Sequence, residues 1–348
     1  MGQNSKRTNT SPSSATGRPG RPNGVLLFAG REIREILSPG ACLQALEAMY
    51  ANLHRSPQDK GQALAFDTDD GVIHVKAGLT PGVRDYFAAK VNANYPANAE
   101  RYGLPTIQGL IVLSECRTGA PVAILQSGVL TGIRTAAASA LAIKYGARKD
   151  AKLLSVIGCG EQAGYQLEAA LGVRPIRQLM AFDTNADRAS NFVQWARRTF
   201  SIDATVAPDI ESAVQASDIC ITTTTSRSPL VTAGMVPPGC FIAAVGADNP
   251  DKQEIDPALF KDARIIVDDI DQCAASGDLA HAIQAGLVSK NDVDATLAGL
   301  AAGVMAGRTE ERQIVIFDST GVGIQDVAAS AAVYELAVEA GRGHSFEF

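Results

Sequence analysis

From residue 150 onward the chain alternates short, mostly apolar runs with longer stretches of helical periodicity. The runs fall at 153–157, 178–182, near 204–207, and at 219–222, 240–245, 265–267 and 314–317. Each predicts a strand, and the run at 153–157, ending at Gly158, has the signature of a strand buried in a parallel sheet. Between them, 186–199, 210–216, 276–287 and 290–298 carry apolar residues at helical spacing. Strand and helix in alternation predict an open, doubly wound α/β sheet.

Earlier in the chain the pattern differs. The folded part begins at 25–28, and Ser38-Pro39-Gly40 opens a helix that puts Cys42, Leu43, Leu46, Met49 and Tyr50 on one face. Segments 63–66 and 72–75 read as strands joined across the turn 67–71, 88–93 as another, and 108–114 with 121–126 as a hairpin. A helix of small apolar residues is expected over 131–145, and a last one over 322–341. The fold class is therefore α/β: a Rossmann-type doubly wound parallel sheet (143–311) inserted into a discontinuous α+β lobe (25–142 and 312–348), with the C-terminal strand and helix assigned to the α+β lobe.

Composition narrows the picture. At 348 residues there is room for two cores, and 46% hydrophobic with 20% charged residues is ordinary for a soluble globular protein. Residues 1–24, rich in Ser, Thr, Asn, Pro, Gly and Arg, lack the apolar surface to order themselves and read as a disordered tail. A net charge of −6 and a pI near 5.3 offer no basic face for nucleic acid, and no apolar run approaches a membrane span. The six cysteines are scattered without a C-x-x-C, which fits reduced thiols and a cytoplasmic location. The four histidines lack metal-ligand spacing, so no metal is expected.

The chemistry concentrates after the run at 153–157. Gly158-Cys159-Gly160-Glu161-Gln162-Ala163 is a G-x-G-x-x-A turn between a strand and a helix, and the next strand ends on Asp183, 23 residues past Gly160. Gly158 permits the tight turn, Gly160 lets a pyrophosphate approach the backbone, and Ala163 lets helix and strand pack closely. Asp183 suits ribose hydroxyls and repels a 2′-phosphate, so NAD(H) is favoured. Arg188 offsets part of that repulsion and leaves NADP(H) open.

Further blocks, Lys90-Val91-Asn92-Ala93-Asn94-Tyr95-Pro96, Gly103-Leu104-Pro105-Thr106, Arg134-Thr135-Ala136-Ala137, Ala244-Val245-Gly246-Ala247-Asp248 and Phe317-Asp318-Ser319-Thr320-Gly321, join the glycine turn in a pattern that resembles the ornithine cyclodeaminase/μ-crystallin family, over residues 25 to about 342. That family includes archaeal-type alanine dehydrogenase and ketimine reductases. The resemblance implies a nicotinamide cofactor, a small amino or imino acid as substrate, and a homodimer formed through the α+β lobe, which becomes the substrate-binding domain. It implies that Lys90 holds a substrate carboxylate and takes part in catalysis, that Arg134 binds the carboxylate and approaches the cofactor, and that Asp248 exchanges a proton with the substrate nitrogen. It places Thr106, Glu161, Gln162, Thr225, Val245, Lys252 and Ser319 around the cofactor with Gly158, Gly160 and Asp183.

Two of these residues also have a plain reading. A guanidinium at Arg134, among small apolar residues, needs an anion; a substrate carboxylate or an internal carboxylate would each serve. Asp248 follows an apolar strand and so reaches a strand's carboxyl end. Departures from the family pattern bear on the substrate: where ornithine cyclodeaminases carry an Arg and a Glu, this chain has Ala63 and His74. Lys76 lies on the same face as His74, and the pair either bind substrate or form a polar stripe facing solvent. The expected activity is NAD(P)H-dependent reduction of an α-imino acid (a ketimine or an imino-dicarboxylate), reversible as an amino-acid dehydrogenase. The alternatives are a cyclodeaminase with tightly bound NAD and a non-catalytic nucleotide-binding protein. The segment 277–282, with His281, is left without a role.

Overall fold

The computed structural model describes residues 24–55, 61–80 and 85–347. The tail expected at 1–24 lies, but for Gly24, outside the described residues.

Two sheets organise the chain. The first has seven strands in the order His344–Phe346, Val25–Phe28, Pro121–Gln126, Ile107–Glu115, Tyr86–Asn94, Gly71–Thr80, Gln62–Thr68. All neighbours are antiparallel except Val25–Phe28 with Pro121–Gln126. Its two faces differ as the period of a strand requires. On one, Tyr86, Ala88, Lys90, Ile111 and Leu113 are buried beneath the helices Ser127–Gly146 and Gly323–Glu339, with Pro39–Arg55 packed on those helices. On the other, Leu64, Phe66, Val91, Leu110 and Val112 are exposed.

The second sheet has eight parallel strands in the order Ala295–Thr296, Arg264–Val267, Val315–Asp318, Phe241–Ala244, Ile219–Thr222, Leu153–Ile157, Gln178–Phe182, Asp203–Val206. The C-terminal strand corrects the expected division. Val315–Asp318 is not part of the first lobe but an interior strand here, paired on both sides. The reason was in its composition: Val, Ile and Phe in succession, all fully buried, need cover on both faces. Only after Asp318 does the chain cross back to the first lobe.

Smaller differences have local causes. The helix expected at 290–298 is a short 3-10 turn capped by Ser289, a two-residue strand and the helix Leu297–Ala301. The segment 276–287 holds the last residue of one helix, Ile270–Ser276, and the whole of another, Asp278–Gln284, which meet at Gly277. The helix Gly30–Ile36, with only Ile33 buried, carried too little periodicity to be foreseen.

The helix Ser127–Gly146 joins the lobes. It is buried on nearly every side, and small residues let its neighbours close in. A side chain at Gly132 would strike the Tyr165 ring, and one at Gly146 the Phe241 ring. Arg134 therefore sits on a helix packed against both lobes.

Candidate active site

A cleft of about 690 Å³ lies between the lobes, at the carboxyl ends of the parallel strands. Four loops of the parallel sheet form one wall. They contribute Gly160, Glu161 and Gln162 after Leu153–Ile157, Thr223 to Thr225 after Ile219–Thr222, Val245 and Asp248 with Lys252 after Phe241–Ala244, and Ser319 to Gly321 after Val315–Asp318. The facing wall brings Lys76 and Thr106 from the first lobe, with Thr131 and Arg134 from the joining helix. This is the crevice where open α/β sheets take ligands. Of the residues singled out in the sequence, Lys90, His74, Gly158 and Asp183 are not in the wall.

The glycine turn fits a dinucleotide. Gly158 has φ +94°, which L side chains rarely adopt, and a side chain there would press on Thr224. Beyond Gly160 nothing lies within 4 Å of where a side chain would begin, so the turn is open to the cleft. The helix Glu161–Leu171 starts at Gly160 without a side-chain cap, leaving its first N–H groups toward the site, as an anion requires. Asp183 Oδ2 accepts from the N–H of Cys159 at 2.8 Å, and Oδ1 from Asn185 at 2.8 Å. Its carboxylate is thus fixed beside the turn, with lone pairs remaining for ribose hydroxyls. Arg188 lines the same end of the cleft.

At the other end stand three cations. Lys76 and Lys90 are directly opposite one another on neighbouring strands, an arrangement that is unfavourable unless an anion intervenes. Asp326, from the helix Gly323–Glu339, supplies it. Its Oδ2 lies 2.7 Å from Lys90 Nζ, and its Oδ1 accepts from Arg134 Nε at 2.7 Å. Arg134 Nη1 donates to Gln325 Oε1 at 2.6 Å, and Gln325 donates onward to the Tyr50 hydroxyl at 2.7 Å. Lys76 donates to the carbonyl of Gly321 at 2.8 Å.

Burial sets the electrostatics. Lys90, 3% exposed, has its pKa brought down to about 7, chiefly by desolvation, against the pull of Asp326 and with Arg134 and Lys76 adding to the fall. Lys76 is lowered by the same cause and by Arg134. For Asp326 desolvation works upward, but Arg134 and Lys90 outweigh it and hold the carboxyl below its usual range. His74 is lowered by burial and by Lys76, while the charge of Asp248 pulls it up.

Arg134 thus has the internal partner that was one of the two readings of its sequence, and still lines the cleft. Lys90 stands behind the wall, 3.4 Å from Thr131 Oγ1, rather than on it. Asp248 is half-exposed, and Lys252 Nζ donates to its Oδ1 at 2.7 Å. Lys252, expected at the cofactor, lines the cleft and also holds Asp248.

Several residues went unforeseen: Asp326, Gln325 and Thr131 in the cation cluster, and the buried acids Glu254, Asp268, Asp278 and Asp318 behind the loops. One signal was available. Gln325-Asp326 is a polar pair inside a helix of small apolar residues, which by the reasoning applied to Arg134 demands a partner of opposite charge.

The sequence profile of the ornithine cyclodeaminase/mu-crystallin family matches residues 28–341. The iminosuccinate reductase of Paracoccus denitrificans is 33% identical over 325 residues, covering 93% of this chain and all of that protein. Two solved structures superpose closely. An archaeal alanine dehydrogenase dimer with bound NAD has TM-score 0.87 and 35% identity, over 93% of this chain and 99% of that one. The Δ1-pyrroline-2-carboxylate reductase of Thermococcus litoralis, with NADH and L-proline, has TM-score 0.88 and 30% identity, over 92% of this chain and all of that one.

Replacing Asp326 by Asn leaves Lys90 and Arg134 buried without their shared anion, and a loss of about 3–5 kcal/mol is expected in denaturant unfolding. Asp278 gives a pH prediction. Its pKa is raised to about 7 by burial and by Glu254, and its Oδ2 is buried without a hydrogen-bond partner. A raised carboxyl pKa stabilises the fold below the unfolded value, and that stability is lost as pH rises through the folded one. Asp278→Asn should therefore be more stable than the native chain at pH 8 and keep only a smaller part of that advantage at pH 5, since it vanishes near the unfolded carboxyl value of about 4; unfolding midpoints at the two pH values read this.

Proposed function

Since the chain belongs to the ornithine cyclodeaminase/mu-crystallin family, we propose that it is an NAD(P)-dependent oxidoreductase that reduces the C=N bond of an α-imino acid and, in reverse, oxidises the amino acid. The observation that carries this reading is the cleft itself: an open glycine turn at one end, and at the other a carboxylate-binding cation cluster facing Asp248. NAD(H) is favoured by Asp183.

The nicotinamide cofactor, when bound, supplies the hydride that the imine carbon receives. The rest falls to the chain's own residues. Lys76 and Arg134 hold the substrate carboxylate: Lys76 spends one of its three N–H groups on Gly321, and Arg134 Nη2 has no protein partner among the described residues. Lys90, through Asp326, keeps Arg134 oriented and lends charge to the site. Asp248 passes a proton to the substrate nitrogen, and the Lys252 ammonium behind it is the proton reserve. His74, on the cleft-side face of its strand with Lys76, borders the substrate side chain. Ala63 and His74 stand where ornithine cyclodeaminases place an Arg and a Glu, which speaks against cyclisation of a diamino acid.

The exposed apolar face of the antiparallel sheet is the contact with a second copy in this proposal. Leu64, Phe66, Val91 and Leu110 form a surface too apolar for water, and the similar alanine dehydrogenase is a dimer. Six unpaired thiols, five of them buried, fit a reducing compartment such as the cytosol. No helix among the described residues is long and apolar enough to cross a membrane.

A panel of cyclic imines, and of α-keto acids with ammonia, assayed by NADH and NADPH oxidation, tests the activity; a chain that binds NADH and consumes none of it across the panel refutes the reading. Asp248→Asn is expected to lower kcat by about 10²-fold or more with little change in NADH affinity, and an unaltered rate removes Asp248 from the chemistry. Leu64→Glu combined with Leu110→Lys should convert the dimer to a 36.3 kDa monomer in light scattering.

A further inference from the structure

Asp248 lies in the loop 245–252, between the strands Phe241–Ala244 and Gln253–Ile255. Among the described residues its carboxylate is held only from within this loop, by Lys252 and Asn249. What fixes the loop therefore fixes the carboxylate. We infer that Glu254 and His281 are positioning residues that clamp the two ends of this loop, an inference that rests on reading Asp248 as the proton-transfer group.

At the leading end, the Gly246 N–H donates to Glu254 Oε2 at 2.7 Å, and a side chain at Gly246 would collide with that carboxylate. The same carboxylate accepts from the Thr222 hydroxyl at 2.7 Å and the Thr224 N–H at 2.5 Å, tying the loop to the next strand end along the cleft. Glu254 is fully buried with no cation in contact among the described residues, so these three donors are its compensation. At the trailing end, His281 Nε2 lies 2.9 Å from the carbonyl of Lys252. A carbonyl can only accept, so Nε2 carries the hydrogen. Lys252 is the residue whose ammonium reaches Asp248, so the histidine fixes the base of the arm that holds the acid.

One element supports both clamps, holding Glu254 through Asp278 and carrying His281 itself. The helix Asp278–Gln284 opens with Asp278, whose Oδ1 accepts from the N–H groups of Glu254 and Ile255 at 2.8 and 2.9 Å; His281 follows one turn later. The start of that helix is in turn held by Asp318, which accepts from the N–H groups of Asp278 and Leu279. One short helix, docked on the end of an interior strand, thus presets both ends of the loop that carries the acid. Proton transfer demands hydrogen-bond reach between heavy atoms, and a misplacement of about 1 Å can cost about 10²-fold in rate.

The test compares His281→Ala, His281→Gln, Asp248→Asn and the His281→Ala/Asp248→Asn double variant, using the imine that the native chain reduces fastest in the panel above. His281→Ala should lower kcat about tenfold while the NADH dissociation constant stays within about twofold. Gln, whose amide N–H reaches about as far as Nε2, should recover most of the loss. The double variant should be no slower than Asp248→Asn alone, since a clamp has nothing left to position. Independent losses that multiply in the double variant, a fall in NADH affinity as large as the fall in kcat, or no recovery with Gln would each overturn the inference while leaving Asp248 in place. An unimpaired Asp248→Asn, or a native chain inert across the panel, overturns the parent reading and this inference with it. Glu254→Gln replaces one acceptor by an NH2 donor that faces an N–H or hydroxyl and should lower kcat in the same non-additive way; if it does not fold, the His281 variants decide alone.

Discussion

One carboxylate makes the substrate end of the cleft tenable. Two lysines directly opposed on neighbouring strands and an arginine from the helix above would repel one another in a buried site. Asp326 reaches two of the three, one carboxylate oxygen to each. Because it comes from the helix that follows the last parallel strand, the chain must finish the nucleotide lobe before it can neutralise the first. The site therefore cannot form before the C-terminal helix docks, and its chemistry is tied to the long-range closure of the fold. The cluster still carries more positive than negative charge in direct contact, which is the condition for attracting a carboxylate.

The joining helix explains how two lobes present a single site. Glycines at 132 and 146 let it lie against Tyr165 and Phe241, and alanines fill most of its remaining surface. A close-packed helix of this kind fixes its few polar residues in space. Thr131 and Arg134, three apart, share one face and meet both the cation cluster and the cleft.

Behind the opposite wall the design is different. Glu254, Asp278 and Asp318 are fully buried and are satisfied mainly by backbone N–H groups rather than by cations. Burial raises the pKa of each. Carboxylates used this way are rigid acceptors with two oxygens apiece. They fasten irregular loops that have no ladder of their own, and loops at strand ends are where such folds place their ligands.

The linear order of residues was enough for the nucleotide lobe's alternation, for the glycine turn with its following acid, and for most of the residues that line the cleft, because strand ends and turn glycines are local features with local signatures. It was also enough to show that Arg134 needed an anion. Three things were decided only in three dimensions. The anion proved to be Asp326, nearly two hundred positions away, because burial of a pair depends on which helix faces which. The strand Val315–Asp318 has the composition of a buried strand, but which sheet it joins and which strands flank it follow from topology and not from spacing. Lys252 acquired its partner in Asp248, and His281 in the Lys252 carbonyl, because hydrogen bonds to an irregular loop leave no periodic trace in a sequence.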